Sequence, residues 1–175
     1  MSQKATASTK RSCLDTVFLY YFVSHIPITI CLDIQPLLPA GIIPRPLLAL
    51  NDVLTRQLRD PFMVLGNDGH ADLTWFRSLL ACELVLQLPF FFYAVWALWV
   101  SSPRRHLPLL MYGTHVSTTM APVLGMLLFG DIDRSCNERM LLASLYAPYL
   151  LVPLAIVCVS YSRCASAISA KIKSQ

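Results

Sequence analysis

The chain has 175 residues, a mass of 19.6 kDa and a formal net charge of +4, with 55% hydrophobic residues, 14% charged residues and mean hydropathy +0.55. A typical soluble domain is about 45–50% apolar and about 25% charged. Too few charges are present to clothe a water-facing surface, which excludes a disordered chain, a nucleic-acid module and an ordinary cytosolic enzyme, and points to an integral membrane protein of one domain.

A bilayer core of about 30 Å needs about 20 mostly apolar helical residues to cross it. The Ser/Thr/Lys-rich residues 1–12 read as a flexible cytosolic terminus. The first charge-free run covers 16–32, between Asp15 and Asp33. It is too long for the apolar part of a cleavable signal, and it contains His25 and Pro27 and ends in an acid, so it reads as a retained first helix. A long loop follows, Ile34 to Asp72, kept extended at first by Pro36, Pro39, Pro44 and Pro46. Within it Leu47, Leu50, Val53, Leu54 and Leu58 recur at helical spacing, with Asn51, Asp52, Arg56 and Arg59 opposite. That pattern predicts a short amphipathic helix lying on the luminal surface or capping the bundle, ended by Asp60-Pro61.

The second span has its charge-free run from Leu84 to Pro103 but starts near Leu73, which puts Glu83 inside the membrane. The third covers 107–130 and the fourth 140–162, before a cytosolic tail at 163–175. The runs are continuous rather than alternating, which argues against a barrel. The expected fold is therefore an all-α membrane protein, four transmembrane helices in a kinked bundle over residues 13–162.

With four crossings, the N-terminus, the loop at 101–106 and the C-terminus share one side, which holds eight Lys and Arg against six on the other. This bias places both termini in the cytosol. Lys171 and Lys173 stand near the end of the tail. They read either as a dilysine retrieval signal of the endoplasmic reticulum or as a basic end touching anionic lipid. The six cysteines carry no disulfide staple pattern; Cys31 and Cys136 are the one pair placed to meet. No zinc spacing and no cofactor motif is present.

An ionisable side chain near the bilayer centre costs about 2.5–3.5 kcal/mol on insertion scales, so the polar residues inside the spans carry the functional information. His25, Thr29 and Asp33 share one side of the first helix, and Glu83 and Gln87 are one turn apart on the second. Tyr112, His115 and Thr119 mark the third, and Tyr146 and Tyr149 the fourth. The economical packing turns all four stripes inward. Pro27, Pro89, Pro122, Pro148 and Pro153 bend the helices and leave room for a cavity. Gly113, Ser117, Ala121 and Gly125 form a small-residue ridge, either a contact within the bundle or a face for a second copy in a homodimer.

Each polar residue also has a plain structural reading. The histidines serve as hydrogen-bonded core residues, Gln87, Thr29 and Thr119 as interhelical hydrogen-bond partners, the tyrosines as packing, and Asp60 as a turn residue before proline. Glu83 resists such a reading most, because an acid inside a span is functional by default. If Asp33 approaches it, the two carboxyls cannot both ionise cheaply and one holds a proton. Such a pair in an aromatic-walled cavity suits a bulky apolar ligand with one amine or hydroxyl.

The stretches Ser24-His25-Ile26-Pro27-Ile28-Thr29 before Asp33, Arg59-Asp60-Pro61, Trp75-Phe76, Cys82-Glu83-Leu84-Val85 before Gln87-Leu88-Pro89-Phe90-Phe91, and Tyr146-Ala147-Pro148-Tyr149-Leu150 resemble the sigma-2 receptor family. That family, also called transmembrane protein 97, lies in the EXPERA domain superfamily with the emopamil-binding sterol isomerases. The resemblance runs in order from Leu14 to Ser162. It implies the EXPERA fold in the endoplasmic reticulum membrane, cytosolic termini and a pocket opening toward the membrane for sterols and cationic amphiphiles. By motif, Asp33 matches the acid that pairs with a ligand amine, Glu83 its buried protonated partner, and Asp60 a supporting acid in the first luminal loop. His25, Gln87, Tyr112, Thr119, Tyr146 and Tyr149 match wall positions. The chain departs from the family's animal members in a shorter loop at 130–139 and fewer tail lysines.

The function expected from the resemblance is non-enzymatic sterol and lipid binding with a part in cholesterol homeostasis, including restraint of a lysosomal sterol-transport protein. Two alternatives stand beside it: a sterol double-bond isomerase, and a scaffold or quality-control factor for mitochondrial precursors. Neither a metal nor a nucleic-acid partner is expected.

Overall fold

The computed structural model describes residues 12–38, 40–63 and 73–174. The N-terminal segment through residue 11, and Asp68 and Asp72 of the first loop, therefore lie outside the described residues. Helix α1 spans Cys13–Ile28 and runs on through a π-helical turn, Thr29–Asp33. Two 3₁₀ turns, Gln35–Leu37 and Ala40–Ile42, lead to α2, Arg45–Leu58. Helix α3, Thr74–Cys82, passes through a second π-helical turn, Glu83–Gln87, into α4, Leu88–Trp99. Then come α5, His106–Phe129, α6, Cys136–Tyr146, and α7, Pro148–Lys173. No strand occurs among the described residues.

Among the described residues three segments are long and apolar enough to cross a membrane: Cys13–Leu37, Thr74–Trp99 and Cys136–Lys173. Their apolar side chains face outward, as with Tyr20, Trp99 and Leu151, all more than 60% exposed. That surface suits hydrocarbon rather than water. Helix α5 is 24 residues long but less apolar, because Tyr112, His115, Ser117, Thr118 and Thr119 interrupt it.

Local chemistry sets the helix ends. Ser12 and Asp15 form a capping box that starts α1, and Ser135 and Glu138 form another that starts α6. Proline acts as expected at three places. Pro148 opens α7 after the break at Ala147, Pro89 stands in the first turn of α4, and Pro27 precedes the first π turn. The fourth apolar run, expected as one helix from 140, thus starts earlier and is two helices. A proline ring has no N–H to give and disfavours helical geometry in the residue before it.

Helix α5 packs along α7, and α1 along α4. At Gly113 the α5–α7 approach is so close that a Cβ would lie 2.8 Å from the Pro153 carbonyl oxygen and from Val157 Cγ2. A Cβ on Gly125, by contrast, would meet nothing within 4 Å. One end of the small-residue ridge is therefore an intrachain contact, while the other is open.

Two apolar clusters form the interior. One joins Phe18, Phe22, Phe91, Leu98, Leu109 and Ile156; the other joins Phe62, Phe76, Leu80, Val123, Leu127 and Leu142. Met120 packs against both.

Helix α2 is amphipathic but rotated from the expected setting. Asn51, expected on the outer face, is buried, whereas Leu50 and Val53 are exposed. The reason is a polar seam: the Gln35 side-chain amide donates to the carbonyls of Cys31 and Leu47, pulling the 47–51 side of α2 onto the corner after α1. All six cysteines are free, Cys31 and Cys136 included.

Candidate functional site

Between the two apolar clusters lies a cavity of about 310 Å³. Two of its three acids come from the two π-helical turns. A π turn fits one extra residue into a helix and so re-aims the side chains that follow, a feature frequent at functional sites. Asp33 ends the first turn and Glu83 begins the second. Between them stands Thr29, fully buried, with its Oγ1 2.6 Å from Glu83 Oε1 and 3.2 Å from Asp33 Oδ2.

The third acid, Asp60, sits where α2 ends. Arg59 takes a left-handed conformation (φ 51°), its guanidinium 2.7 Å from Glu138 and its carbonyl accepting from Arg134 Nε at 2.9 Å. That sharp exit turns Asp60 inward. Asp60 Oδ1 accepts from the Phe62 amide at 2.8 Å, and Oδ2 from the Tyr146 hydroxyl at 2.7 Å. Burial raises the Asp60 pKa, against the hydrogen bonds from Tyr146, Phe62 and Met63 that favour its charged form.

The walls are aromatic. His25 Nδ1–H donates to the Tyr21 carbonyl at 2.9 Å, which fixes the proton on that nitrogen, because a carbonyl oxygen only accepts. Its ring lies edge-on to Tyr149, centroids 4.8 Å apart. The hydroxyls of Tyr21 and Tyr112 pair at 3.2 Å, and the Phe90 ring stacks on Tyr112 at 5.0 Å.

Asp33, Glu83, Asp60, His25, Gln87, Tyr112, Thr119, Tyr146 and Tyr149, drawn from seven helices, turns and helix ends, all line this one cavity. His115 does not, although it belongs to the same polar stripe as Tyr112 and Thr119. It falls on the flank of α5, with Nε2 buried and unpartnered, so the third stripe is only partly inward. The lining also holds residues outside the sequence-predicted set, Tyr21, Met63 and Leu145 among them. Tyr21 stands one turn before His25 on the same stripe, a signal that was available. Met63 and Leu145 carry no such signal; only the fold brings them to the wall. Thr29 lies behind the acids and is not a lining residue.

Among the described residues no lysine or arginine lines the cavity. Among the described residues no group of three or more His, Cys, Asp and Glu is placed to hold a metal ion. The arrangement offers two adjacent carboxyls without an intrachain cation, set in aromatic and aliphatic walls. Chemically it can take up a positive charge or a hydroxyl carried on an apolar body.

Fold and site together define a helical membrane protein with an acidic cavity between its helices. Residues 47–160 match the family model EBP, described as EXPERA (EXPanded EBP superfamily). The chain is 37% identical over 152 residues to Sigma intracellular receptor 2 of Xenopus tropicalis, covering 82% of this chain and 85% of that one. It is 35% identical over 158 residues to Sigma intracellular receptor 2 of Homo sapiens, covering 84% and 86%. It is also 33% identical over 156 residues to Efficient mitochondria targeting-associated protein 19 of Saccharomyces cerevisiae, covering 78% and 91%. The chain belongs to the EXPERA family.

Proposed function

We propose that this chain is a non-enzymatic, four-span protein of the endoplasmic reticulum membrane that binds sterols and cationic amphiphiles in its acidic cavity and takes part in sterol homeostasis. The observation that carries the reading is the pair of carboxyls, Asp33 and Glu83, facing an apolar cavity whose lining holds no cationic side chain. A buried negative charge without a partner is costly, and a guest's ammonium group supplies the missing half. In this reading one proton stays on the acid pair, on Glu83, and Asp33 is the anion. The resemblance of the motif residues and the receptor name of the vertebrate relatives support the same assignment.

In this reading α5 is the fourth span, its polar residues turned toward the cavity and toward neighbouring helices. Contacts at the two ends support the topology. Arg105 Nη2 meets Asp15 Oδ2 at 2.9 Å, so the start of α1 and the 100–105 loop share one end. Arg59 meets Glu138 at the other, together with Arg134. The first end is the cytosolic one, by the excess of Lys and Arg. Helix α2 then lies on the luminal side, capping the bundle through Asn51 and offering Leu50 and Val53 to the interface. Lys171 and Lys173 project in the last turn of α7 as the retrieval or lipid-contacting element. A second copy, along the open end of the α5 ridge, and a sterol-transport protein are the protein partners of this reading.

The test is equilibrium binding of tritiated imipramine, a lipophilic tertiary amine, and of tritiated cholesterol to the purified full chain in lipid nanodiscs. Asp33→Asn is expected to lower imipramine affinity by about thirtyfold or more, the effect of truncating one member of a buried charge pair. Unchanged binding by that variant removes the assignment. Incubation with a Δ8-sterol followed by product analysis addresses the isomerase alternative: no double-bond migration is expected, and its appearance replaces the non-enzymatic reading.

A further inference from the structure

The acid pair is not held by its own helices alone. Thr29 is 0% exposed and contributes no surface to the cavity, yet its hydroxyl touches both carboxyls. It starts one π turn, while Glu83 starts the other, so a single oxygen ties α1 to the α3–α4 segment where the acids emerge.

A hydroxyl has one proton to donate and lone pairs to accept with. It donates to one carboxyl, and its contact with the other is a hydrogen bond only if that carboxyl donates back. Two carboxylates around one hydroxyl leave one of the contacts without a proton. One carboxylic acid and one carboxylate resolve this: the acid O–H goes to Thr29 Oγ1 or to the other carboxyl, which it also contacts directly, and the Thr29 O–H goes to the carboxylate.

The direction of this relay follows from position. Glu83 is ten residues into the Thr74–Trp99 segment, whereas Asp33 ends the last turn of α1, close to the polar corner at Gln35. Charge is least tolerated at depth, so the proton belongs to Glu83 and the charge to Asp33.

We infer that Thr29 is a positioning residue: from outside the cavity it holds the Glu83 proton in place and aims the Asp33 carboxylate at the position of a ligand's cationic or hydroxyl group. This rests on the ligand-binding reading above for its consequence, but not for its geometry.

Four versions of the full chain test it in nanodiscs: wild type, Thr29→Val, Thr29→Ser and Thr29→Ala. Valine keeps the shape of threonine without the hydroxyl, while serine and alanine are a second matched pair that differ essentially by the hydroxyl. Val and Ala are expected to lower imipramine affinity by about tenfold or more, the worth of a hydrogen bond to a charged group, and Ser to restore it. Infrared difference spectra give a ligand-free readout. One protonated carboxyl band, absent in Glu83→Gln, is expected to shift in Thr29→Val and return in Thr29→Ser.

If Thr29→Val does not fold, the Ala and Ser pair decides. Equal binding by Ala and Ser, or a carboxyl band unmoved by loss of the hydroxyl, overturns the inference. If wild type itself fails to bind imipramine, the ligand reading falls while the infrared comparison still decides the role of Thr29.

Discussion

Two buried carboxylate sites stand at opposite ends of α1, and they are built in opposite ways. At the first turn, Asp15 meets Arg105 across 90 residues of chain, with both side chains under 10% exposed, and Ser12 completes a capping box on the same carboxyl. The charge is answered by the protein itself, and the Arg105 guanidinium is held further by the Ser102 carbonyl at 2.7 Å. At the last turn, Asp33 and Glu83 share one threonine hydroxyl and face a cavity with no cation in its lining. A completed ion pair fixes a corner of the bundle. An uncompleted one keeps its electrostatic attraction available for a guest.

This contrast can be broken from either side. The largest effect on stability is expected from Arg105→Met, which leaves Asp15 buried and unpaired at a cost of about 3–5 kcal/mol. Thermal unfolding in detergent checks it, and the double variant Asp15→Asn, Arg105→Met should regain most of the loss. An unaltered melting temperature for the single variant would mean that the pair is solvated. By comparison Asp33→Asn, the variant expected to weaken imipramine binding, should hold or raise the melting temperature, because it deletes an unanswered charge.

A middle-sized effect is expected at the edge of the cavity beside the end of α2. Tyr146→Phe strips Asp60 Oδ2 of its donor, for a loss of about 1–3 kcal/mol, read from the same unfolding curves. The smallest belongs to Glu83→Gln. An amide nitrogen can donate to Thr29 as the acid does, so stability should change by less than about 1 kcal/mol. Failure of this variant to fold would argue that Glu83 is charged, and would merge the two sites into one type.

Much of this molecule was legible before any coordinates. Charge spacing located the apolar segments near their observed places, and the period of α2 and its Asp60-Pro61 stop are local properties. The nine candidate residues could be gathered because polar groups inside an apolar run are conspicuous when water is absent. Other features were not legible, for identifiable reasons. The periodicity of α2 left its rotation open, because a 14-residue helix with leucines on a broad arc has more than one way to dock. Gln35 decided it, by bonding the Leu47 carbonyl and drawing Asn51 inward. His115 has the same spacing as its neighbours, yet a helix flank and a helix face differ by a rotation that only its packing partners set.

The sequence by itself determined that the chain lives in a membrane, where its helices lie and which residues are chemically out of place there. These follow from composition and from interactions within a few residues. Only the tertiary structure decided which charges are answered and which are not. Asp15 and Asp33 look alike in the chain, each an acid at one end of the same apolar run. Their difference arises from what folds against them: an arginine from a distant loop in one case, a threonine, a second acid and a cavity in the other. Electrostatic energy depends on distance and surroundings, and neither is a property of residue order.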